Sequence, residues 1–311
     1  MVFFTGIGGH RGMGCTDHDF YQPLRDIRHL PVENSLASLE TALAAGADYV
    51  EMDAVMSADG VLFTLHNVVP KDHFFDAAAQ PRGLLNTLPF DEIKKYKTGR
   101  FQRGGVTDIV AVLDMIAAKS PGTLPWKVNI EIKGVQGSGQ PYETTDYLEK
   151  LSKAVRVSKM PAEQVLFSSF ALQNVLCMTR LLPTAQYGML FAEKPEARAI
   201  YADHADDRRY QYLPFDPATV QEVQDIWVAE AQKAARLAYV HPEVQTINPQ
   251  MIPLIQRAGM GINCWALFET LTPERQQTYR DMLDMCQQNG VPMTIITDYI
   301  DPIRALTGRL S

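Results

Sequence analysis

Four short stretches of the chain carry side chains that chemistry could use: His10-Arg11-Gly12, Glu51-x-Asp53, His66 and Glu131-x-Lys133. Residues two apart on a strand share a face, so Glu51 and Asp53 can address one target, and so can Glu131 and Lys133. Three carboxylates brought together repel one another unless a divalent cation lies between them. All-oxygen ligation suits Mg2+, Ca2+ or Mn2+ rather than zinc. With one such cation, Arg11 and Lys133 leave the group a single positive charge, which a phosphodiester monoanion would neutralise. His10 and His66 supply a base and an acid that titrate near neutral pH, as needed to activate a hydroxyl and to protonate a leaving alkoxide. The metal would act as a Lewis acid on a phosphoryl oxygen. Each stretch alone is commonplace on a strand; the occurrence of all four in one chain carries the reading.

For these residues to meet, the elements that carry them must lie side by side. Short β-branched or aromatic runs alternate with stretches of helical periodicity, the pattern of repeated βα units. Strands are expected at residues 2–9, 48–54, 127–133, 164–170, 185–191, 244–248, 261–267 and 293–298, with 61–66 as a hairpin partner after the Asp59-Gly60 turn. Helices are expected at 33–45, with Leu36, Leu39 and Leu43 on one side and Gly46 as C-cap, and at 91–96, 144–157, 217–237 and 273–289. Eight units predict an α/β chain folded as a TIM (β/α)8 barrel, with catalytic groups at the C-terminal ends of its strands. Residues 1–311 then form one catalytic domain, and the polar, Pro- and Gly-punctuated stretch 67–105 is an insertion after the second strand that could act as a lid. A doubly wound sheet is the competing architecture. It would need a third glycine in the first phosphate-binding turn, where Gly6-Ile7-Gly8-Gly9-His10-Arg11 places an arginine.

Composition narrows the partners. The chain has 311 residues, 46% of them hydrophobic, and a formal net charge of −7, which fits an ordered globular protein and excludes general binding to nucleic acid or acidic membranes. Cys15, Cys177, Cys264 and Cys286 are far apart and lack CxxC spacing, so neither a disulfide framework nor a zinc site is expected, and a reducing compartment fits best. The N-terminus has no basic stretch and only a short apolar run, so the expectation is a cytoplasmic protein without an integral membrane segment, acting on a small molecule.

Taken together, Gly9-His10-Arg11-Gly12, Glu33-Asn34-Ser35, Gly46-Ala47-Asp48, Val50-Glu51-Met52-Asp53, Asp59-Gly60 and Leu65-His66 resemble the glycerophosphodiester phosphodiesterase family. So do the later Ile130-Glu131-Ile132-Lys133, Phe167-Ser168-Ser169-Phe170, Cys264-Trp265 and Ile296-Thr297-Asp298. The resemblance spans nearly the whole chain and is strongest over residues 8–67. It implies a TIM barrel that hydrolyses a phosphodiester of glycerol to an alcohol and glycerol 3-phosphate with one divalent cation, Mg2+ or Ca2+, Mn2+ being admitted by the same ligands. By matching positions, His10 and His66 are the implied acid/base pair, Glu51, Asp53 and Glu131 the implied metal ligands, and Arg11 and Lys133 the implied phosphate contacts. Glu33 would orient Arg11 or bind a hydroxyl of the glyceryl group, and Trp265 would form an apolar wall or simply pack the barrel.

The chain departs from the family pattern in places. Asn67 stands after the second histidine, where the family usually has Asp. Residues 13–30 form a long connection whose His18 and His29 read as surface residues, and residues 193–215 read as a solvated loop that could select substrate. Two alternatives stay open: a phospholipase D acting on lysophospholipids or sphingomyelin, with Phe74 and Phe75 near a wider mouth, and a catalytically silent barrel that binds a phosphorylated ligand.

Overall fold

The computed structural model describes residues 5–16, 27–76, 80–122, 124–133, 146–192, 198–200, 206–247, 249–266 and 273–308. The strands are β1 (Thr5–Gly9), β2 (Tyr49–Met56), β3 (Leu62–Thr64), β4 (Val128–Ile132), β5 (Val165–Ser169), β6 (Gln186–Leu190), β7 (Arg198–Ala199), β8 (Gln211–Tyr212), β9 (Arg236–His241), β10 (Gly261–Ala266) and β11 (Met293–Thr297). The helices are α1 (Leu36–Ala44), α2 (Phe90–Ile93), α3 (Ile109–Lys119), α4 (Tyr147–Val157), α5 (Leu172–Leu181), α6 (Pro217–Glu230), α7 (Met251–Arg257), α8 (Pro273–Gln288) and α9 (Ile300–Leu306).

Eight strands run parallel in the order β1-β11-β10-β9-β6-β5-β4-β2, and the pairing of β1 with β2 closes the ring. This is the expected TIM barrel. Strand β3 folds back antiparallel on β2, with Ala54 opposite Thr64, and β7 with β8 makes a separate short ribbon. Alternation along each strand sorts side chains between two cores. Val50, Met52, Val128, Ile130, Val165 and Phe167 pack outward against helix residues such as Leu39, Leu113 and Ile116. Tyr49, Trp126, Leu166, Tyr239 and Ile296 pack together on the other side of the sheet, inside the barrel. Burying each such aliphatic or aromatic side chain contributes roughly 1.5–3 kcal/mol.

The glycines of β1 serve this interior. A Cβ on Gly8 would lie 2.2 Å from the Tyr49 ring, and one on Gly6 would lie 2.6 Å from Leu124. The glycine-rich start of the chain is thus a packing requirement, which explains its incomplete likeness to a nucleotide-binding turn.

Several expected elements are corrected. The sixth barrel strand is β9, while residues 244–248 hold only the 3-10 turn Val244–Thr246 and one residue outside the described set. The alanine-rich stretch 231–235 extends helical propensity beyond α6, so the periodicity suggested a helix to 237. The chain instead leaves the helix at Ala231, whose ψ is 156°, and Arg236–His241 gains two parallel partners in β6 and β10. Tertiary pairing overrides local propensity here. The helix expected at 33–45 starts later, at Leu36, with the Ser35 side chain accepting the Ser38 N–H. Glu33 and Asn34 are therefore left in the loop before it, and Asn34 adopts φ 57°.

The stretch after β3 contains the turns Pro70–Asp72 and Leu85–Thr87 and the single helical turn α2, shorter than the helix expected at 91–96. Val68, Phe74, Leu85 and Ile93 form a small core with Val55, Phe63 and Leu65 of the β2–β3 hairpin. Residues 17–26, 193–197 and 201–205, with His18 among them, lie outside the described residues. His29 is exposed, as expected. Arg208 and Arg209 are tied to α6 through Glu222 and Glu230, at 2.9 and 3.1 Å. Among the described residues, no helix is long and apolar enough to cross a membrane.

Candidate active site at the C-terminal ends of the barrel strands

Parallel pairing in the register Asp53 to Glu131 places β2 and β4 so that Glu51, Asp53 and Glu131 converge. One carboxylate oxygen from each lies within 4.8 Å of the others. Lys133 reaches into the group, its Nζ 2.9 Å from Asp53 Oδ1 and 2.7 Å from Glu131 Oε1. The Arg11 backbone N–H donates to Glu51 Oε2 at 3.0 Å.

The electrostatics of this group are asymmetric. Burial pushes the Glu51 carboxyl well up, and repulsion from Asp53 and Glu131 pushes it further. Glu131 is also raised by burial, with Lys133 opposing and Asp53 adding to the rise. Burial likewise disfavours the Asp53 anion, but Lys133, Arg11 and the Asn34 hydrogen bond outweigh it and hold that carboxyl down. The Lys133 ammonium is raised despite burial because Asp53 and Glu131 flank it. A buried carboxylate set whose members resist ionising together, all offering oxygen, has the donor chemistry and the charge deficit that a hard divalent cation satisfies. The expected metal ligands therefore meet, and they fit such an ion.

Arg11 is held at φ 47°. Its Nη1 donates to Glu33 Oε1 at 2.6 Å, and its Nε lies 3.3 Å from Asp53 Oδ2. Glu33 is locked in turn: its Oε2 accepts the Thr16 N–H at 2.9 Å, and its own N–H donates to Thr16 Oγ1 at 2.8 Å. Of the two roles expected for Glu33, this geometry serves the first, orientation of Arg11. Asn34 supports Asp53 on both sides, donating Nδ2–H to Oδ2 at 2.8 Å and accepting the Asp53 N–H at 3.1 Å. The late start of α1 makes both contacts possible.

His10 follows β1 directly. Its Nδ1 lies 2.7 Å from Asp298 Oδ1, and its Nε2 faces Glu51 at 4.0 Å. An imidazole that donates Nδ1–H to a carboxylate is fixed in ring orientation, with Nε2 presented to the site. His66, half-buried, follows the β2–β3 hairpin. Burial, Arg11 and Lys133 together push its imidazole well below the usual range, so it is neutral at pH 7. Asn67 turns away into its own loop, donating to Asp72 Oδ2 at 2.9 Å and accepting the Val69 N–H at 2.8 Å. Trp265, half-buried on β10, donates its indole N–H to the His241 carbonyl at 3.2 Å and rests against the interior core.

Asn34, Thr16 and Asp298 of this site carried no role in the sequence reading, and neither did Cys15 beside it. Asp298 and Cys15 both lie against His10, with Cys15 Sγ 3.6 Å from Nδ1. The signal for Asp298 was its place one residue past the last barrel strand, where barrel chemistry resides.

The family model for the glycerophosphoryl diester phosphodiesterase family matches residues 10–301. A glycerophosphodiester phosphodiesterase of Caldanaerobacter subterraneus is 28% identical over 171 residues, which are 53% of this chain and 63% of that protein. One of Bacillus altitudinis is 24% identical over 51% of this chain and 60% of its own length. The matches thus span under two thirds of these relatives. Among solved structures, a phosphodiesterase of Oleispira antarctica in complex with the product sn-glycerol-3-phosphate superposes with a TM-score of 0.62 at 17% identity, covering 97% of this chain and 96% of that one. A glycerophosphodiester phosphodiesterase of Agrobacterium tumefaciens gives a TM-score of 0.60 at 20% identity, covering 97% and 100%. These structural likenesses share the barrel, and the match over residues 10–301 goes further: the chain belongs to the glycerophosphoryl diester phosphodiesterase family.

Proposed function

We propose that the protein hydrolyses glycerophosphodiesters to an alcohol and glycerol 3-phosphate, with one divalent cation held by Glu51, Asp53 and Glu131. The observation that carries the reading is the convergence of these three carboxylates with Lys133, beside an imidazole that Asp298 orients. When bound, the cation supplies Lewis-acid polarisation of a phosphoryl oxygen. Lys133 and Arg11 add positive charge on the phosphate side, and Glu33 and Asn34 hold Arg11 and Asp53 in place. His66, neutral in its positive surroundings, takes the proton from the attacking oxygen. In its imidazolium form His10 hands the Nε2 proton to the leaving alkoxide and keeps Nδ1–H on Asp298, which fixes the ring. Trp265 lines the side of the mouth across from the carboxylates.

The test is release of glycerol 3-phosphate from glycerophosphocholine and glycerophosphoethanolamine, with EDTA, with single metals restored, and with His10→Ala. Turnover that EDTA abolishes, one metal restores and His10→Ala lacks is the expected result. Turnover that survives both EDTA and His10→Ala would sink the proposal.

A second reading, hydrolysis of lysophospholipids or sphingomyelin, draws support from Phe75 and Phe101. They are 38% and 47% exposed on the stretch after β3, with Arg100 over one ring and Arg103 over the other at 5.5 and 5.3 Å. Rates that rise with acyl-chain length would favour it over the water-soluble diesters.

A further inference from the structure

The loop after β1 turns back on itself. Gly12 and Gly14 adopt φ 88° and 87°, and the Gly14 N–H donates to the His10 carbonyl at 2.8 Å. The reversal returns Cys15 over the imidazole that precedes it by five residues. There the Cys15 N–H donates to Asp298 Oδ1 at 3.2 Å, while Sγ stands 3.6 Å from His10 Nδ1. All three side chains are buried, at 6%, 1% and 3% exposure for His10, Cys15 and Asp298, and their ligand atoms lie within 4.8 Å of one another.

We propose that His10 Nδ1, Cys15 Sγ and Asp298 Oδ1 form a second metal site, selective for Zn2+, and that zinc bound there switches the enzyme off. Tetrahedral zinc, with Zn–S near 2.3 Å and Zn–N near 2.05 Å, holds its sulfur and nitrogen ligands about 3.5 Å apart. The observed separation is 3.6 Å. Nitrogen and oxygen ligands stand about 3.3 Å apart in the same geometry. The carboxylate at 2.7 Å therefore opens by roughly half an ångström as its hydrogen bond gives way to coordination.

The donor set separates this site from the one beside it. Sulfur and imidazole nitrogen select zinc over Mg2+ and Ca2+, whereas Glu51, Asp53 and Glu131 offer only oxygen and select the hard ions. Without a metal the buried thiol stays protonated, since burial pushes it well up, so Cys15 is not a ready nucleophile. On coordination the thiol proton leaves to solvent, the His10 Nδ1 proton is given up to solvent while Nε2 carries the ring's N–H, and the Asp298 contact that fixes the His10 ring is replaced by the metal. His10 Nε2, facing Glu51, can then no longer exchange protons with substrate. This last consequence rests on the acid/base role proposed for His10; the binding site itself does not. Sequence spacing could not reveal the site, because its third ligand comes from 288 residues away.

The experiment uses the full-length protein, freed of metal and then held in excess Mg2+, with Co2+ and Zn2+ as probes. Co2+ is expected to give a thiolate-to-cobalt charge-transfer band, which coordination by carboxylates alone cannot produce. One equivalent of Zn2+ should remove the band, raise Tm and inhibit turnover. Cys15→Ser keeps the backbone N–H on Asp298 and should keep Mg2+-dependent turnover. It should lose the band and weaken zinc binding on the order of 100-fold, taking the zinc inhibition with it. Absence of the band, or zinc affinity unchanged in Cys15→Ser, overturns the site. A band that appears and is displaced by zinc while turnover continues keeps the site but overturns its regulatory effect, and with it the role given to His10.

Discussion

The mouth of the barrel has two unlike sides. Around β1, β2 and β4, Arg11, Lys133, Glu33, Asp53 and Glu131 form a connected network in which each charge meets an opposite one within 3.3 Å. Around β5, β9 and β10 the interior is neutral but for the buried Glu243 just past β9, and several polar atoms find no hydrogen-bond partner among the described residues: Ser168 Oγ, Asn263 Nδ2 and both ring nitrogens of His241. The first side gives up stability to assemble like charges; the second is shaped by packing, with the His241 ring against Gly188, where a Cβ would lie 2.2 Å from Nε2. In the proposed function the concentrated charge is where the phosphodiester is cleaved, and the opposite side holds the shape against which that charge works.

The strongest way to break this contrast is to neutralise the charged side. Glu51→Gln is expected to lower glycerol 3-phosphate release by about 10^3-fold or more, the scale of losing a principal electrostatic group. The same substitution should raise Tm in EDTA, because burial and repulsion from Asp53 and Glu131 penalise the Glu51 anion in the folded state. That penalty grows as pH rises from the unfolded carboxyl range toward the raised folded value, so the stability gain should be larger at pH 8 than at pH 4. A Tm that falls in EDTA would show that Glu51 stabilises the fold, and the charged side would no longer be a functional burden.

The two histidines separate on leaving-group chemistry. Each alanine variant should lose about 10^2–10^4-fold on glycerophosphocholine. On a p-nitrophenyl phosphodiester, whose leaving group needs no proton, His10→Ala should recover most of its loss and His66→Ala should not. The reverse pattern would exchange their roles, and recovery in both would remove the base.

The neutral side carries a pH signature. Burial drops the His241 imidazole to about 3. The unfolded chain therefore binds a proton that the native one refuses, and stability is full above about pH 6.5 and falls as pH drops toward 3. Between pH 6.5 and 5 the expected loss is about 2 kcal/mol, read as a falling midpoint in urea. His241→Met should flatten that limb; an unchanged acid limb would assign the loss to His66 and Asp53 on the other side, which the fold also holds down.

The same contrast sets what the sequence could disclose. The charged side was legible because its residues come in pairs two apart on strands, Glu51 with Asp53 and Glu131 with Lys133, a spacing that strand geometry turns into shared direction. Asp298 was visible only as the end of a strand, since its partner His10 lies 288 residues away. On the neutral side, strand β9 was hidden by the helix-forming alanines ahead of it. Its pairing with β6 also shifts by one residue, Tyr187 facing Leu237 and Gly188 facing Tyr239, and no sequence period predicts such a slip. Glu33 and Asn34 were placed within helix periodicity, and only the Ser35 cap reveals that they stand outside it.

The smallest expected effect concerns Asn67, where the chain departs from its family. Its Nδ2 donates to Asp72 Oδ2 at 2.9 Å, so Asp in this position would set one carboxylate against another. Asn67→Asp should therefore cost about 1 kcal/mol, the worth of one partly exposed hydrogen bond to a charged group. Turnover should change by less than about threefold, because the Asn67 side chain is engaged within its own loop, on Asp72 and Val69, and points to no group of the site. Asp72→Asn in the same chain restores a donor opposite the new carboxylate and should return the stability, a coupling that a double-mutant cycle of urea midpoints measures directly. If instead Asn67→Asp raises turnover tenfold without loss of stability, the residue after His66 tunes that imidazole, and the charged side of the mouth extends one residue further than its present network.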